Sequence, residues 1–239
     1  VIGEGASIGP GCRLISHVSV RGRTRIGAGC TIYPFAALGG EPQSLTHRDE
    51  PTALIIGDGC TIRESVTMST GTVGGGGLTL VGDRNYFMNG AHVGHDCRIG
   101  NDVVIAGATM IAGHCEIGDS VFIGGVSALH QRTRIGSGAM LGGMSGISTD
   151  LIPYGLASGA RATMIGLNVV GMKRRGFTVA RLGKLRAFYS RLFRGSGLFF
   201  DRLAAERQEN HDEPAIIEIL AFIEAGGKRA LCLPSVGGE

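Results

Sequence analysis

Four of the seven histidines lie between His92 and His130, and three of them, His95, His114 and His130, follow at intervals of nineteen and sixteen residues. Imidazole is the side chain that titrates nearest neutrality and the commonest metal ligand. A cluster of this kind can therefore move protons or hold a cation. Asp96 stands beside His95. A lone histidine at a turn is ordinarily a solvated polar residue. These three form a site only if the chain returns to the same place about every eighteen residues.

The sequence has that return built in. From Val81 an aliphatic or aromatic residue recurs at every sixth position, through Phe87, Val93, Ile99, Ile105, Ile111, Ile117, Ile123, Leu129, Ile135, Leu141 and Ile147. The following position is mostly Gly or Ala. The same register runs earlier, from Ile2 to Leu38 and from Ile56 to Met68. A period of six fits neither a helix nor simple strand alternation over such a length. It matches the hexapeptide β-helix repeat, in which three hexads make one triangular coil. With eighteen residues per coil, His95, His114 and His130 fall along one edge on successive turns.

The cysteines obey the same rule. Cys12, Cys30, Cys60, Cys97 and Cys115 all occupy the fifth hexad position, which points inward and takes small residues. They are expected as stacked core thiols rather than disulfides or metal ligands, since free Cys behaves as a small buried hydrophobe. No CxxC pair occurs, which fits a reducing compartment. Gly is abundant, at 42 of 239 residues against a usual share of about 7 %, while aromatics are 5 % and Trp is absent. That balance suits short strands and tight corners. The formal charge of +3 gives no argument for nucleic acid, and no apolar run approaches the roughly 18 residues of a membrane span. No secretory signal is evident. A cytoplasmic protein is expected, and because Val1 already lies in register, the natural N-terminus is expected upstream.

Two segments break the register, Gly39 to Ala53 and Gly71 to Thr79, the second with four consecutive Gly. Both are expected as loops projecting from corners, where binding groups tend to sit on a rigid scaffold. Pro153 is expected to end the repeat. Beyond it, Leu182, Leu185, Phe188, Tyr189, Leu192 and Phe193 are spaced as a helical stripe stopped by Gly195 and Gly197. A second helix is expected over Leu198 to Arg207. A third is expected after Asp212 as N-cap, with Ile216, Ile217, Leu220 and Ile223 buried. The expected organisation is a β-helix over residues 1–160, then a connecting segment and a small α-helical domain over 161–239.

The run Asn89-Gly90-Ala91-His92-Val93-Gly94-His95-Asp96-Cys97 resembles the catalytic segment of the UDP-N-acetylglucosamine O-acyltransferases of lipid A synthesis. Ile62 to Thr67, Ala112-Gly113-His114, Leu129-His130-Gln131, and Asn168 with Gly171 to Phe177 are similar to motifs of the same family. The Gly171 to Phe177 motif is specific, because generic hexapeptide acetyltransferases lack it. The resemblance implies a left-handed coil, against the usual right-handed crossover preference. It also implies transfer of a 3-hydroxyacyl chain from acyl carrier protein to the sugar 3-position. His95 would be the general base, Asp96 its orienting carboxylate and the Gly113 N–H the oxyanion donor. Gln43, His92, His114, His130, Gln131 and Asn168 would bind substrate, and Arg174 and Arg175 the nucleotide phosphates. Gly143 would sit at the depth of an acyl-chain ruler. No metal and no cofactor beyond the donor's own phosphopantetheine are implied. The partners implied are acyl carrier protein, a UDP-sugar and two further copies in a homotrimer. The eight basic residues from Lys173 to Arg194, uninterrupted by any acid, are expected to steer the acidic carrier.

The sequence departs from the family at several points. Ser44-Leu45-Thr46 replaces Asp-Leu-Lys, Ser69-Thr70 replaces His-Arg, and Val170 stands at an often acidic position. Acceptor recognition is where these changes fall, so a 3-amino analogue of the sugar stays open. Three other readings compete: an acetyl-CoA-dependent sugar acetyltransferase, a zinc carbonic anhydrase of the same prism fold, and a non-catalytic prism that docks a partner.

Overall fold

The computed structural model describes residues 1–48 and 50–235. Each hexad folds as a short strand whose last residue points inward, followed by a corner turn. Three strands complete a coil, and the next coil lies on it in parallel register. On one face Val81 pairs with Ile99, Ile99 with Ile117 and Ile117 with Ile135. On the second, Phe87, Ile105, Ile123 and Leu141 stack. On the third, the His92 face, Val93, Ile111, Leu129 and Ile147 do so. All twelve side chains are buried, each contributing about 1.5–3 kcal/mol on leaving water. Three sheets of seven, nine and seven strands thus close a triangular prism among the described residues.

Coil stacking also explains the corners. Asp96, His114 and Arg132 turn the edge by which the chain leaves the His92 face, at φ of 59°, 60° and 68°. Such angles are uncommon outside glycine. Bonds between coils hold them: the His114 N–H donates to the His95 carbonyl at 2.8 Å, and the Arg132 N–H to the Gly113 carbonyl at 3.0 Å. The core thiols stack as their spacing requires. Cys97 donates to the Ala112 carbonyl and Cys115 to the His130 carbonyl, both at 3.2 Å, and all six cysteines are free.

The two interruptions are looped out without loss of register, since Ile26 pairs with Ile56 and Ile56 with Val81. Both are shorter than expected, because Ala37–Gly40, Ala53–Ile56 and Leu78–Val81 are strands at their margins. The sheet also continues past Pro153. Strand Gly155–Ser158 extends the Leu141 face, and Thr163–Leu167 pairs back on it antiparallel.

Four helices follow: α1 (Val169–Arg174), α2 (Val179–Arg194), α3 (Phe199–Gln208) and α4 (Pro214–Gly226). The first was not expected from the sequence. Helix α2 buries the whole expected stripe, and the Thr178 hydroxyl caps it by accepting from the Arg181 N–H. Helix α4 differs from expectation twice. Its N-cap is Glu213, which accepts from the Ala215 N–H while also pairing with Arg181; Asp212 instead faces Lys184. Ile219 is buried and Ile217 is exposed, because Ile216, Ile219 and Ile223 share one side of the helix.

One buried ion cluster fastens this domain to the prism. The Asp150 carboxylate, 2 % exposed, accepts from Arg134 at 2.8 Å and Arg229 at 2.9 Å. Arg134 also donates to the Phe222 carbonyl at 2.7 Å and lies over the Phe222 ring. Removing the acid from such a cluster leaves buried charge uncompensated. Asp150→Ala is therefore expected to cost about 3–5 kcal/mol in denaturant unfolding. Asp212→Ala, which breaks only an exposed pair, should leave the unfolding midpoint nearly unchanged.

Candidate active site

Along the edge leaving the His92 face, three consecutive coils present His95 and Asp96, then Gly113 and His114, then His130 and Gln131. This is the alignment the eighteen-residue coil predicts. A cleft of about 370 Å³ opens beside them, lined by His92, His95, Gly113, His130 and Gln131, with Gln43 and Ser69 on its loop side. His92 reaches it from its strand rather than from the corner, and its Nδ1 is 2.7 Å from the Thr67 hydroxyl.

His95 and Asp96 form a close polar pair, Nδ1 to Oδ2 at 2.8 Å. The His95 ring lies directly over Gly113. A methyl group added there would stand 2.6 Å from His95 Nε2, so a side chain at 113 would displace the His95 ring. The Gly113 N–H has no acceptor among the described residues. His114 meets His95 edge-on, ring centres 5.0 Å apart, with its Nε2 3.7 Å from Asp96 Oδ2.

Asp96 is the electrostatic centre. Burial pushes its carboxyl up, but the Thr72 hydroxyl and N–H together with His95 outweigh that and hold it below the usual carboxylate range. It is an anion at neutral pH. Burial lowers His92, and the neighbouring His95 adds to the shift. Burial likewise lowers His114; Asp96 opposes this, and Arg132 and His95 reinforce it. Both rings are therefore neutral at pH 7 and able to donate and accept.

Thr72 was missed by sequence reasoning, although the glycine run beside it is the signal. A methyl on Gly75 would lie 2.2 Å from the Asp96 carboxyl carbon, so the loop touches this acid through glycine. His95, Asp96 and His114 place three possible metal-ligand atoms within 4.8 Å, as do Glu206, Glu209 and His211. In the first group, however, both Asp96 oxygens already accept protein hydrogen bonds. In the second, Glu206 is bound by Arg191.

The remaining expected residues lie elsewhere in the chain. Asn168 caps α1 and donates to the Gly138 carbonyl at 3.0 Å. Arg175 donates to the same carbonyl at 3.3 Å. Gly138 turns a different edge, after strand Arg134–Ile135. Arg174 is exposed beside them. Gly143 turns the opposite edge of the His92 face, where the chain enters it. The basic strip is less free than its sequence suggests. Arg181, Lys184 and Arg191 pair with Glu213, Asp212 and Glu206, while Lys173, Arg174 and Arg186 are exposed without an acidic partner among the described residues.

Comparison with known proteins agrees over the whole chain. The family model for UDP-N-acetylglucosamine O-acyltransferase, domain 2, matches residues 150–232, and the bacterial transferase hexapeptide model matches 79–113. The acyl-(acyl-carrier-protein)–UDP-N-acetylglucosamine O-acyltransferase of Azorhizobium caulinodans is 52 % identical over 237 residues, 99 % of this chain and 88 % of the relative. That of Caulobacter vibrioides is 52 % identical over 228 residues, covering 95 % and 87 %. Among solved structures, LpxA of Acinetobacter baumannii superposes with a TM-score of 0.90 at 34 % identity, covering 98 % of this chain and 92 % of that one. The UDP-N-acetylglucosamine acyltransferase of Francisella novicida gives 0.92 at 28 % identity, covering 98 % and 86 %. A left-handed parallel β-helix carrying a helical C-terminal domain, an edge of aligned histidines and this degree of kinship together place the chain in the acyl-(acyl-carrier-protein)–UDP-N-acetylglucosamine O-acyltransferase family.

Proposed function

We propose that the protein transfers a 3-hydroxyacyl chain from the phosphopantetheine thioester of acyl carrier protein to the 3-hydroxyl of UDP-N-acetylglucosamine, the first step of lipid A synthesis. The observation that carries this reading is the His95–Asp96 pair poised over the bare N–H of Gly113. Because Asp96 is an anion and meets Nδ1, the His95 proton sits on Nδ1 and Nε2 is the free base. Nε2 takes the hydroxyl proton as the sugar oxygen attacks the thioester carbonyl. The tetrahedral oxyanion forms against the Gly113 N–H, which has no competing acceptor. Collapse expels the phosphopantetheine sulfur, and His95 returns the proton to it. His92, His114, His130, Gln131 and Gln43 line or border this cleft and would hold donor and acceptor. The chemistry needs no metal and no cofactor beyond the donor's own arm.

Asn168, Arg174 and Arg175 stand on another edge, so their role as nucleotide ligands requires a neighbouring copy. A homotrimer of parallel prisms supplies it, because threefold symmetry sets one edge of each copy against a different edge of the next. The acyl groove would follow the edge bearing Gly125 and Gly143. There Val126 and Met144 are 65 % and 76 % exposed, and Val126 holds a left-handed φ of 57°, a strained state for a β-branched residue. A cytoplasmic location fits the free thiols; among the described residues no helix is long and apolar enough to cross a membrane.

A second acceptor, the 3-amino analogue, is supported by the loop side of the cleft. Ser69, which departs from the family motif, lines it, and Ser44 and Thr46 bond to each other at 3.0 Å. Assaying 3-hydroxyacyl carrier protein with each UDP-sugar decides between them, and transfer to neither would remove the proposal.

Three outcomes are expected. His95→Ala should lower kcat about 10²–10⁴-fold without unfolding the prism; near-normal turnover would remove His95 from its role. Sedimentation under assay conditions should give a trimer, and a stable active monomer would contradict the shared cleft. Gly143→Met should shift the preferred donor to a shorter chain, in a graded way, since a methylene is worth only about 1–3 kcal/mol. An unchanged preference would leave Met140 or Met144 to close the groove.

A further inference from the structure

We infer that Thr72 is a positioning residue for the proton transfer, holding the Asp96 carboxylate in the one orientation that serves His95. The inference rests on the assignment of His95 as base. Thr72 lies outside the hexad register, on the loop between strands Thr67–Ser69 and Leu78–Val81. It grips the carboxylate from both sides. Its N–H donates to Asp96 Oδ1 at 2.8 Å and its hydroxyl to Oδ2 at 2.6 Å. Oδ2 is also the atom that meets His95 Nδ1 at 2.8 Å. From the neighbouring strand, the Thr79 hydroxyl accepts from the Asp96 N–H at 2.8 Å and fixes the backbone. The carboxylate plane is thus determined by one loop residue.

The loop is shaped for this contact. Thr72 caps the short 3-10 turn Val73–Gly75 by accepting from the Gly75 N–H at 3.2 Å. That turn lays Gly75 against Asp96, where a methyl would be within 2.4 Å of both carboxylate oxygens. A hydrogen bond to a charged group is among the stronger ones, and a carboxylate held by several donors cannot rotate away from the ring it orients. The Thr72 hydroxyl also stabilises the anionic His95–Asp96 pair more than the pair that has gained a proton. Losing it should make the pair hold a proton more tightly. The other titratable groups facing the pair are His92, His114 and Arg132, and none changes in the variants below.

The test compares Thr72→Val, Thr72→Ser, Gly75→Ala and His95→Ala in the full trimeric protein, with kcat, KM and the pH profile of kcat/KM. Thr72→Val should lower kcat about tenfold with little change in KM, and move the acid limb of the profile to higher pH. Thr72→Ser, which restores the hydroxyl, should recover most of the rate. Gly75→Ala, which pushes the carboxylate aside, should lower kcat without touching the hydroxyl and serves if Thr72→Val does not fold. The inference is overturned if Thr72→Val keeps kcat within twofold with an unmoved acid limb, or if the Ser variant is as impaired as the Val variant. If His95→Ala itself stays active, the assignment of the base fails first, and the two failures are told apart.

Discussion

Everything in this molecule depends on the register by which one coil hydrogen-bonds to the next. A strand of two residues has almost no stability alone. Stacked in parallel with the coils before and after it, its backbone gains partners from both and its inward side chain packs on its like. Columns of equivalent positions then rise along the axis at the spacing between neighbouring strands, about 4.8 Å. The edge bearing His95 and Gly113 is one such column. His95 sits over Gly113 because the two are an eighteen-residue coil apart. No local propensity of either residue would bring them together.

This is why so much could be seen in the sequence. The period of six sets the three faces, the inward thiols and the alignment of His95, His114 and His130, all of which the structure contains. The C-terminal stripe from Leu182 to Phe193 was legible for the same reason, periodic burial of one side of an element. What could not be read is whatever escapes periodicity. Thr72 approaches Asp96 through a loop, and sequence distance says nothing about where a loop returns. Asp212 and Glu213 are adjacent candidates for one cap, and the choice is made by Arg181 and Lys184 on another helix. The basic strip looked unpaired because its acids come from residues 206–213, across a turn. The position of Asn168 and Arg175 on a different edge depends on how the last strands fold back, which the repeat does not specify.

The two kinds of structure divide the work. The prism supplies fixed coordinates, with corners held by bonds between coils and a core of stacked aliphatic columns. The insertions supply chemistry that a repeat cannot, since a repeat places the same kinds of residue at the same angle again and again. The loop carrying Gln43 and the loop carrying Thr72 both run from the His92 face to the Val81 face, one bordering the cleft and the other gripping Asp96. The departures from the family, at Ser44, Thr46, Ser69 and Thr70, fall in or beside these excursions. Thr70 bonds to Thr52 and so closes the base of the longer loop. Recognition can vary there because neither loop carries the register.

Stacked coils also make the scaffold a graduated one. Along its axis, equivalent sites exist only at whole-coil steps of about 4.8 Å, so a bound chain meets the same corner geometry at discrete heights. A measuring site on such a scaffold cannot be tuned finely by moving it from one coil to another, since each move skips several methylenes at once. Fine adjustment has to come from the bulk of the side chain at a given height, and a glycine corner such as Gly143 is where that bulk is set to zero. On the proposed function, the repeat would fix the coarse divisions of length, and single substitutions at its corners the fractions between them.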